Sequence, residues 1–196
     1  LETNTGKGVA IALSETADSL FGNGIETVEL STAADAQVSL EWNPAAREAL
    51  REFLEHPQRP KILFDAKRAM HLLSREGITL RSVARDVSLI NYLIAAGGRN
   101  EMPELLLREF GSETTETRAA SLYELNALLG ERIKEVSAAQ TAGKTLLSVY
   151  ADIELPLIPI LFRMEERGIR LNTEIFKTMS DEMTTELATL ELRIYD

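Results

Sequence analysis

The chain reads as an α/β protein, a mixed sheet flanked by helices with further helices at its C-terminal end. Three observations predict that class. Short apolar or alternating runs dominate up to Phe64. Helical periodicity dominates after Asp86. Between them the order is three strands, a helix, a strand and a helix, the pattern of a sheet whose later strand arrives through a helical crossover.

Each element has its own warrant. Val9–Leu13 is a continuous apolar run, the mark of a central strand. Asp18–Gly24 contains Asn-Gly and reads as a turn. Glu26–Ser31 and Ala36–Glu41 alternate polar with apolar residues. Asp35, behind Ala33 and Ala34, turns one into the other as a hairpin, so the first three strands form an antiparallel meander. Asn43 caps a helix whose first residue is Pro44, and Ala46, Ala49, Leu50, Phe53 and Leu54 form its apolar stripe. His56-Pro57 ends it. Lys61–Phe64 is a fourth strand. Asp65 caps a helix that runs through Glu76 and stops at Gly77. A strand or turn precedes Asp86, and Val87–Ala96 is helical until Gly97-Gly98.

The remainder is helical. Met102–Phe110 carries Pro103 in its first turn, and Gly111–Thr117 is a polar loop. Leu122–Val136 and Leu146–Arg167 follow, the latter broken or kinked by Pro156 and Pro159. Gly168–Leu171 is an extended link, and Asn172 caps a last helix to the end. Its stripe of Ile175, Met179, Met183, Leu187, Leu190 and Ile194 needs a covering surface. There is no internal repeat and no low-complexity tract.

Composition narrows the function. The 196 residues are 44% apolar and 27% charged, ordinary for a globular chain with a real core. No apolar run approaches the roughly eighteen residues of a membrane span. The opening LETNTGKG lacks the basic and apolar regions of a signal peptide, so the expected location is cytoplasmic. The absence of cysteine excludes disulfides and thiolate metal sites. A net charge of −10 predicts weak or no DNA binding by this chain alone, because phosphate neutralisation supplies most of that affinity.

The chemistry-bearing residues are few. Glu15 and Asp18 follow the first strand, Asp65 follows the fourth and Asp86 precedes a helix. Two-metal phosphodiester cleavage needs carboxylates converging around ions about 3.5–4 Å apart, and acids at neighbouring strand ends suit that. The simpler account makes Asp65 and Asp86 helix caps, and Glu15 and Asp18 solvated loop acids. His56 and His71 have no partner at ligand spacing. Ser14 and Ser19 have no nearby histidine base, which leaves a hydrolase triad without support. Ala142-Gly-Lys-Thr145 misses the phosphate-loop pattern, because Ala138 stands where its first glycine belongs. Trp42 and the tyrosines are dispersed and form no stacking platform, and Trp42 is expected to pack at a strand end.

Two blocks are more specific. One is Ile62-Leu-Phe-Asp-Ala-Lys-Arg-Ala-Met-His-Leu-Leu-Ser-Arg-Glu-Gly-Ile-Thr-Leu80 with Asp86-Val-Ser-Leu-Ile-Asn-Tyr-Leu-Ile94. The other is Tyr150-Ala-Asp-Ile-Glu-Leu-Pro-Leu-Ile-Pro-Ile-Leu-Phe-Arg-Met-Glu-Glu-Arg-Gly-Ile-Arg-Leu171. Together they resemble bacterial DNA polymerase I, the family A polymerases. The first resembles the middle of the 3′–5′ exonuclease domain, the second the junction into the polymerase domain. The resemblance covers nearly the whole chain.

It implies an RNase H-like, DnaQ-type exonuclease fold over residues 1–150, and the first helices of a truncated polymerase domain over 151–196. It also implies a site. In the family the first motif is Asp-x-Glu at the end of the first strand; here it is Leu13-Ser14-Glu15, so a leucine replaces the aspartate that bridges both ions. The second pairs an asparagine with an aspartate four residues later; here those positions hold Asp65 and Ala69. The third, Tyr-x-x-x-Asp on a helix, is matched to the region Val136–Gln140, where neither residue occurs. Leucine and alanine offer Mg²⁺ no oxygen. The expectation is a dead nuclease site with Glu15 as its only remnant: no catalytic residue, no cofactor site and no metal ligand. The chain would then be a non-catalytic, structural part of a DNA-directed DNA polymerase of replication and repair. That parent would use Mg²⁺ and bind DNA, and its polymerase domain would pack on the C-terminal helices. The alternatives are a weak or rearranged metal-dependent exonuclease built on Glu15 with Asp18, Asp65 or Asp86, and a helical protein-interaction module.

Overall fold

The computed structural model describes residues 8–16, 24–33, 35–95, 100–111, 117–140 and 143–195. The expected turn at Asp18, the Gly97-Gly98 break and the interior of the Gly111–Thr117 loop lie outside the described residues. The chain divides into two compact units, Leu1–Arg163 and Met164–Asp196.

In the first unit, β1 (Val9–Glu15), β2 (Ile25–Ala33) and β3 (Ala36–Glu41) form the meander expected from their alternation. Both hairpin pairings are antiparallel, Leu13 standing opposite Val28 and Val28 opposite Leu40. Helix α1 (Pro44–Glu55) starts as its sequence dictates: the Asn43 carboxamide accepts the Ala46 N–H, and Pro44 fills the first turn where its missing donor costs nothing. The crossover brings β4 (Lys61–Leu63) parallel to β1 on its far side. A second crossover, α2 (Ala66–Arg75), brings β5 (Val83–Asp86) parallel to β4. The strand order is β3-β2-β1-β4-β5.

Helix α2 ends as its glycine requires. Gly77 takes a φ of 70°, its N–H bonds the Ser74 carbonyl, and the Ile78 N–H bonds that of Leu73. Ile78, the residue beyond the glycine, is buried. Directly after β5 comes α3 (Val87–Ile94), then α4 (Met102–Phe110) and α5 (Arg118–Ala138). α5 begins four residues before the expected Leu122, because the Thr117 hydroxyl caps it from the Ala120 N–H. The expected Leu146–Arg167 helix is split. A short α6 (Leu146–Val149) leads into a π-helical turn at Tyr150–Glu154 and then α7 (Leu155–Arg167). Pro156 has no N–H to offer back along the helix, so the wider turn precedes it, whereas Pro159 lies inside α7.

Strand alternation sorts the core into two layers, one on each face of the sheet. Ile11, Val28 and Leu63 pack with Leu54 of α1 and Met70 and Leu73 of α2. Ala10 and Ile62 pack with Ile90 of α3, Leu105 of α4 and Leu125 and Leu129 of α5. The result is a mixed five-stranded sheet with helices on both faces, the RNase H-like fold.

In the second unit, α8 (Thr173–Tyr195) is capped by Asn172, whose carboxamide accepts from Glu174 and Ile175. Its apolar positions, among them Ile175, Met179, Met183, Leu187, Leu190 and Ile194, are exposed.

Candidate functional site

β1 and β4 are adjacent and parallel, but the chain leaves them in opposite directions, β1 toward β2 and β4 toward β5. In an open α/β sheet that divergence opens a crevice at the carboxyl ends of the strands. The described structure has a cleft of about 300 Å³ there. Leu13 and Glu15 line it from β1, Asp65, Arg68 and Ala69 from the start of α2, Met102 and Leu106 from α4, and Arg118 and Leu122 from α5.

The local folding explains these placements. The β1–β2 register shifts between Ser14 and Glu15, so the ladder breaks where the strand reaches the cleft. Ser14 bonds the Thr27 hydroxyl and accepts the Thr27 N–H, which ties it to β2. At the end of β4 the chain must turn sharply into α2, and Asp65 does this with φ 59° and ψ 70°, a left-handed conformation that aspartate tolerates better than most residues. Its carboxylate caps α2 by accepting the Arg68 N–H at 3.0 Å.

Glu15 does not face solvent alone. Arg68 grips its carboxylate with two donors, Nε on one oxygen and Nη2 on the other at 2.8 Å. The hydrogen bond to Glu15 is the largest of the influences that raise the basicity of Arg68; Asp65 and Glu101 add to it. Ala69 is nearly buried beside this pair, and Leu13 packs against the core under α1 and α2.

Asp86 lies elsewhere in its chemistry. It is 2% exposed. Its Oδ1 accepts from Ser88 N, Ser88 Oγ, Leu89 N and Asp65 N, and its Oδ2 accepts from Ala66 N at 2.7 Å. One carboxylate thus caps both α3 and α2. Burial pushes its pKa up, while the hydrogen bonds from Ala66, Ser88 and Leu89 pull it back. The Tyr150 hydroxyl accepts the Asp86 N–H at 2.9 Å, and burial pushes that phenol up to about 12.

The structure therefore brings together Leu13, Glu15, Asp65 and Ala69 but keeps Asp86 walled off as a cap. Asp18 lies outside the described residues. Val136–Gln140 do not reach the cleft: they end α5, whose start lines it, and eighteen residues of helix separate Arg118 from Val136, a rise of roughly 27 Å. Arg118 and Leu122 stand there instead, four residues apart on one helical face. The His56 ring accepts the Gln58 N–H, and His71 sets its ring edge-on to Phe162 at 4.9 Å. Trp42 packs against the core layer of α1. Sequence reasoning missed Arg68. The available signal was its place one turn after the Asp65 cap, which puts it on the helix end that faces the first strand.

The cleft does not suit a pair of Mg²⁺ ions, which need several oxygen ligands in near-octahedral order. Leu13 and Ala69 supply none, and among the described residues no group of three or more His, Asp or Glu side chains could hold a metal ion.

The family model described as DNA polymerase I, ribonuclease H-like domain, matches residues 18–118, more than half of the chain. A thermostable DNA polymerase I of Thermus filiformis is 32% identical over 170 residues, 87% of this chain and 18% of that protein. DNA polymerase I of Bacillus subtilis (strain 168) is 24% identical over 166 residues, 76% of this chain and 19% of that protein. The chain thus spans less than a fifth of the length of these relatives. Among solved structures, the polymerase domain of Pol1 from M. smegmatis in complex with DNA primer-template and dNTP matches with a TM-score of 0.76. It is 24% identical and covers 96% of this chain and 33% of that one. Brucella melitensis NrnC with bound Mg²⁺ matches with a TM-score of 0.62 at 13% identity, covering 85% of this chain and 89% of that one. At these identities both show the fold alone.

Proposed function

Because the chain belongs to the DNA polymerase I ribonuclease H-like domain family, we propose that it is the exonuclease-like domain of a bacterial DNA polymerase I whose proofreading site has lost its chemistry and kept its architecture. The observation that carries this reading is the wall of the cleft. Near the end of β1 and in the first turns of α2, where a two-metal nuclease of this family sets its carboxylates, this chain sets Leu13 and Ala69. Without ligands for two ions there is no metal-bound hydroxide and no clamp on the leaving oxygen. Leu122 and Arg118, at the helical spacing of the third motif, extend the same substitution to α5 and replace the expectation at Val136–Gln140.

Glu15 is then a remnant, not a catalyst, and Asp65 and Asp86 serve as caps. Residues 1–150 form the exonuclease-like domain and 151–196 begin the polymerase domain, with the apolar stripe of α8 packing on the rest of that domain. The parent protein carries out DNA-templated DNA synthesis in replication and repair in the cytoplasm, with Mg²⁺ in its polymerase site. At a net charge of −10 this chain alone binds DNA weakly or not at all.

The test is digestion of a 5′-labelled single-stranded oligonucleotide by the purified chain in Mg²⁺ and then Mn²⁺, with Glu15→Ala alongside. No shortening in either metal is the expected result. Metal-dependent shortening that Glu15→Ala abolishes would sink the scaffold reading in favour of a rearranged nuclease.

A further inference from the structure

Two arginines line the cleft, Arg68 and Arg118, and Arg68 is the one that grips its surviving acid. Arg68 directly precedes Ala69, the position where the second motif's metal-linked aspartate is missing. From there its guanidinium reaches across to β1 and engages both oxygens of Glu15, the surviving acid of the first motif. The contact is bidentate, the geometry in which a planar guanidinium meets a carboxylate best. Asp65 and Glu101 line the same cleft. A patch of negative charge at strand ends repels itself unless something positive sits in it. In a two-metal nuclease that role falls to divalent ions.

We infer that the Arg68 guanidinium is a tethered stand-in for those ions: it neutralises Glu15 and its acidic neighbours and keeps divalent metal out of the cleft. The inference rests on the reading of the domain as an inactive nuclease and adds a second barrier to it. Loss of the aspartates removes the ligands, and Arg68 fills the charge vacancy that remains. Restoring the carboxylates while leaving Arg68 in place would therefore not restore a metal site.

The experiment uses the full chain carrying Leu13→Asp and Ala69→Asp, with Arg68 either kept or changed to Met. Mn²⁺ is titrated in and its free-ion electron paramagnetic resonance signal is read. Mn²⁺ is expected to bind about tenfold more tightly, or better, once Arg68 is gone, the size of effect one unit charge has on a divalent ion a few ångströms away. Equal affinity in the two proteins would overturn the inference, since it would mean that the arginine simply swings aside.

Circular dichroism checks that the two aspartates leave the fold intact. If they unfold it, the same question is put to the chain carrying Ala69→Asp alone. Millimolar Mn²⁺ should broaden the Glu15 side-chain NMR resonances in Arg68→Met and leave them sharp when Arg68 is present. Equal broadening in both would refute the role assigned to Arg68. Digestion of DNA by the unaltered chain, by contrast, would refute the inactive-nuclease reading itself, so the two failures are told apart.

Discussion

Two carboxylates stand at strand ends of one sheet, Glu15 closing β1 and Asp86 closing β5, and they have opposite fates. Asp86 is 2% exposed and accepts hydrogen bonds from four backbone N–H groups and the Ser88 hydroxyl. Its lone pairs are committed to the N-termini of two helices, where the helix dipoles also favour negative charge. Glu15 lies on an open cleft and is held by Arg68, whose side chain is 61% exposed. The first is architecture that the fold depends on, the second a site that the fold merely carries. An acid at a strand end is thus no evidence of catalysis until its lone pairs have been accounted for.

The largest break in that comparison is Asp86→Ala. It strips the cap from α3, removes the acceptor of the Asp65 and Ala66 N–H groups at the start of α2 and leaves buried donors unsatisfied, so stability should fall by on the order of 3–5 kcal/mol, read from urea unfolding followed by circular dichroism. Asp86→Asn keeps one acceptor oxygen and should lose about half as much. A loss no larger than that of a surface substitution would mean that the two helix starts find other partners.

Lys61 extends the contrast to a buried cation at the opposite end of β4. Its ammonium donates to the carbonyls of His56, Arg59 and Arg81 at 3.2, 2.9 and 2.8 Å and sits over the Phe53 ring. Burial, and then the charge of Arg59, lower its pKa from 10.5 to about 8. Between those values the unfolded chain holds a proton that the folded chain has released. Stability should therefore rise as pH climbs from about 8 to 10.5, with a slope of at most about 1.4 kcal/mol per pH unit. Lys61→Met removes this slope and, at pH 7, costs about 1–3 kcal/mol through the three carbonyls left without a donor. A wild-type profile as flat as the variant's across that window would show that Lys61 titrates as it does in water.

Tyr150→Phe removes a smaller part of the Asp86 hub, the hydroxyl that accepts the Asp86 N–H. A loss of about 1–2 kcal/mol is expected, with no change in the oligonucleotide assay. The smallest effects belong to the cleft. Arg68→Met and Glu15→Ala break an ion pair that solvent reaches, and each should shift stability by no more than about 1 kcal/mol. Millimolar Mg²⁺ should leave the thermal midpoint of the unaltered chain where it is. A clear rise would show a divalent site that the geometry does not provide.

Much of this molecule could be read without its fold. The alternation of Glu26–Ser31 and Ala36–Glu41, the Asn43-Pro44 start and the Gly77 stop are local signals. They act through dihedral preference and neighbouring hydrogen bonds, so they survive in one dimension. That Leu13 and Ala69 offer a metal ion no ligand was legible for the same reason, since an apolar side chain coordinates nothing wherever it lies. Other features depend on residues far apart in sequence. The sharing of Asp86 between two helices needed β5 laid beside β4. Tyr150, the first residue of the π-helical turn ahead of Pro156, meets Asp86, 64 residues away along the chain. Arg118 and Leu122 reached the cleft only because α5 packs across β1 and β2, and the gap in sequence between Ala69 and α5 carries no sign of that distance. The pairing of Arg68 with Glu15 spans 53 residues. A charge-to-charge contact of that separation is set by which strand ends the crossovers bring together, and chain topology, not local preference, decides that.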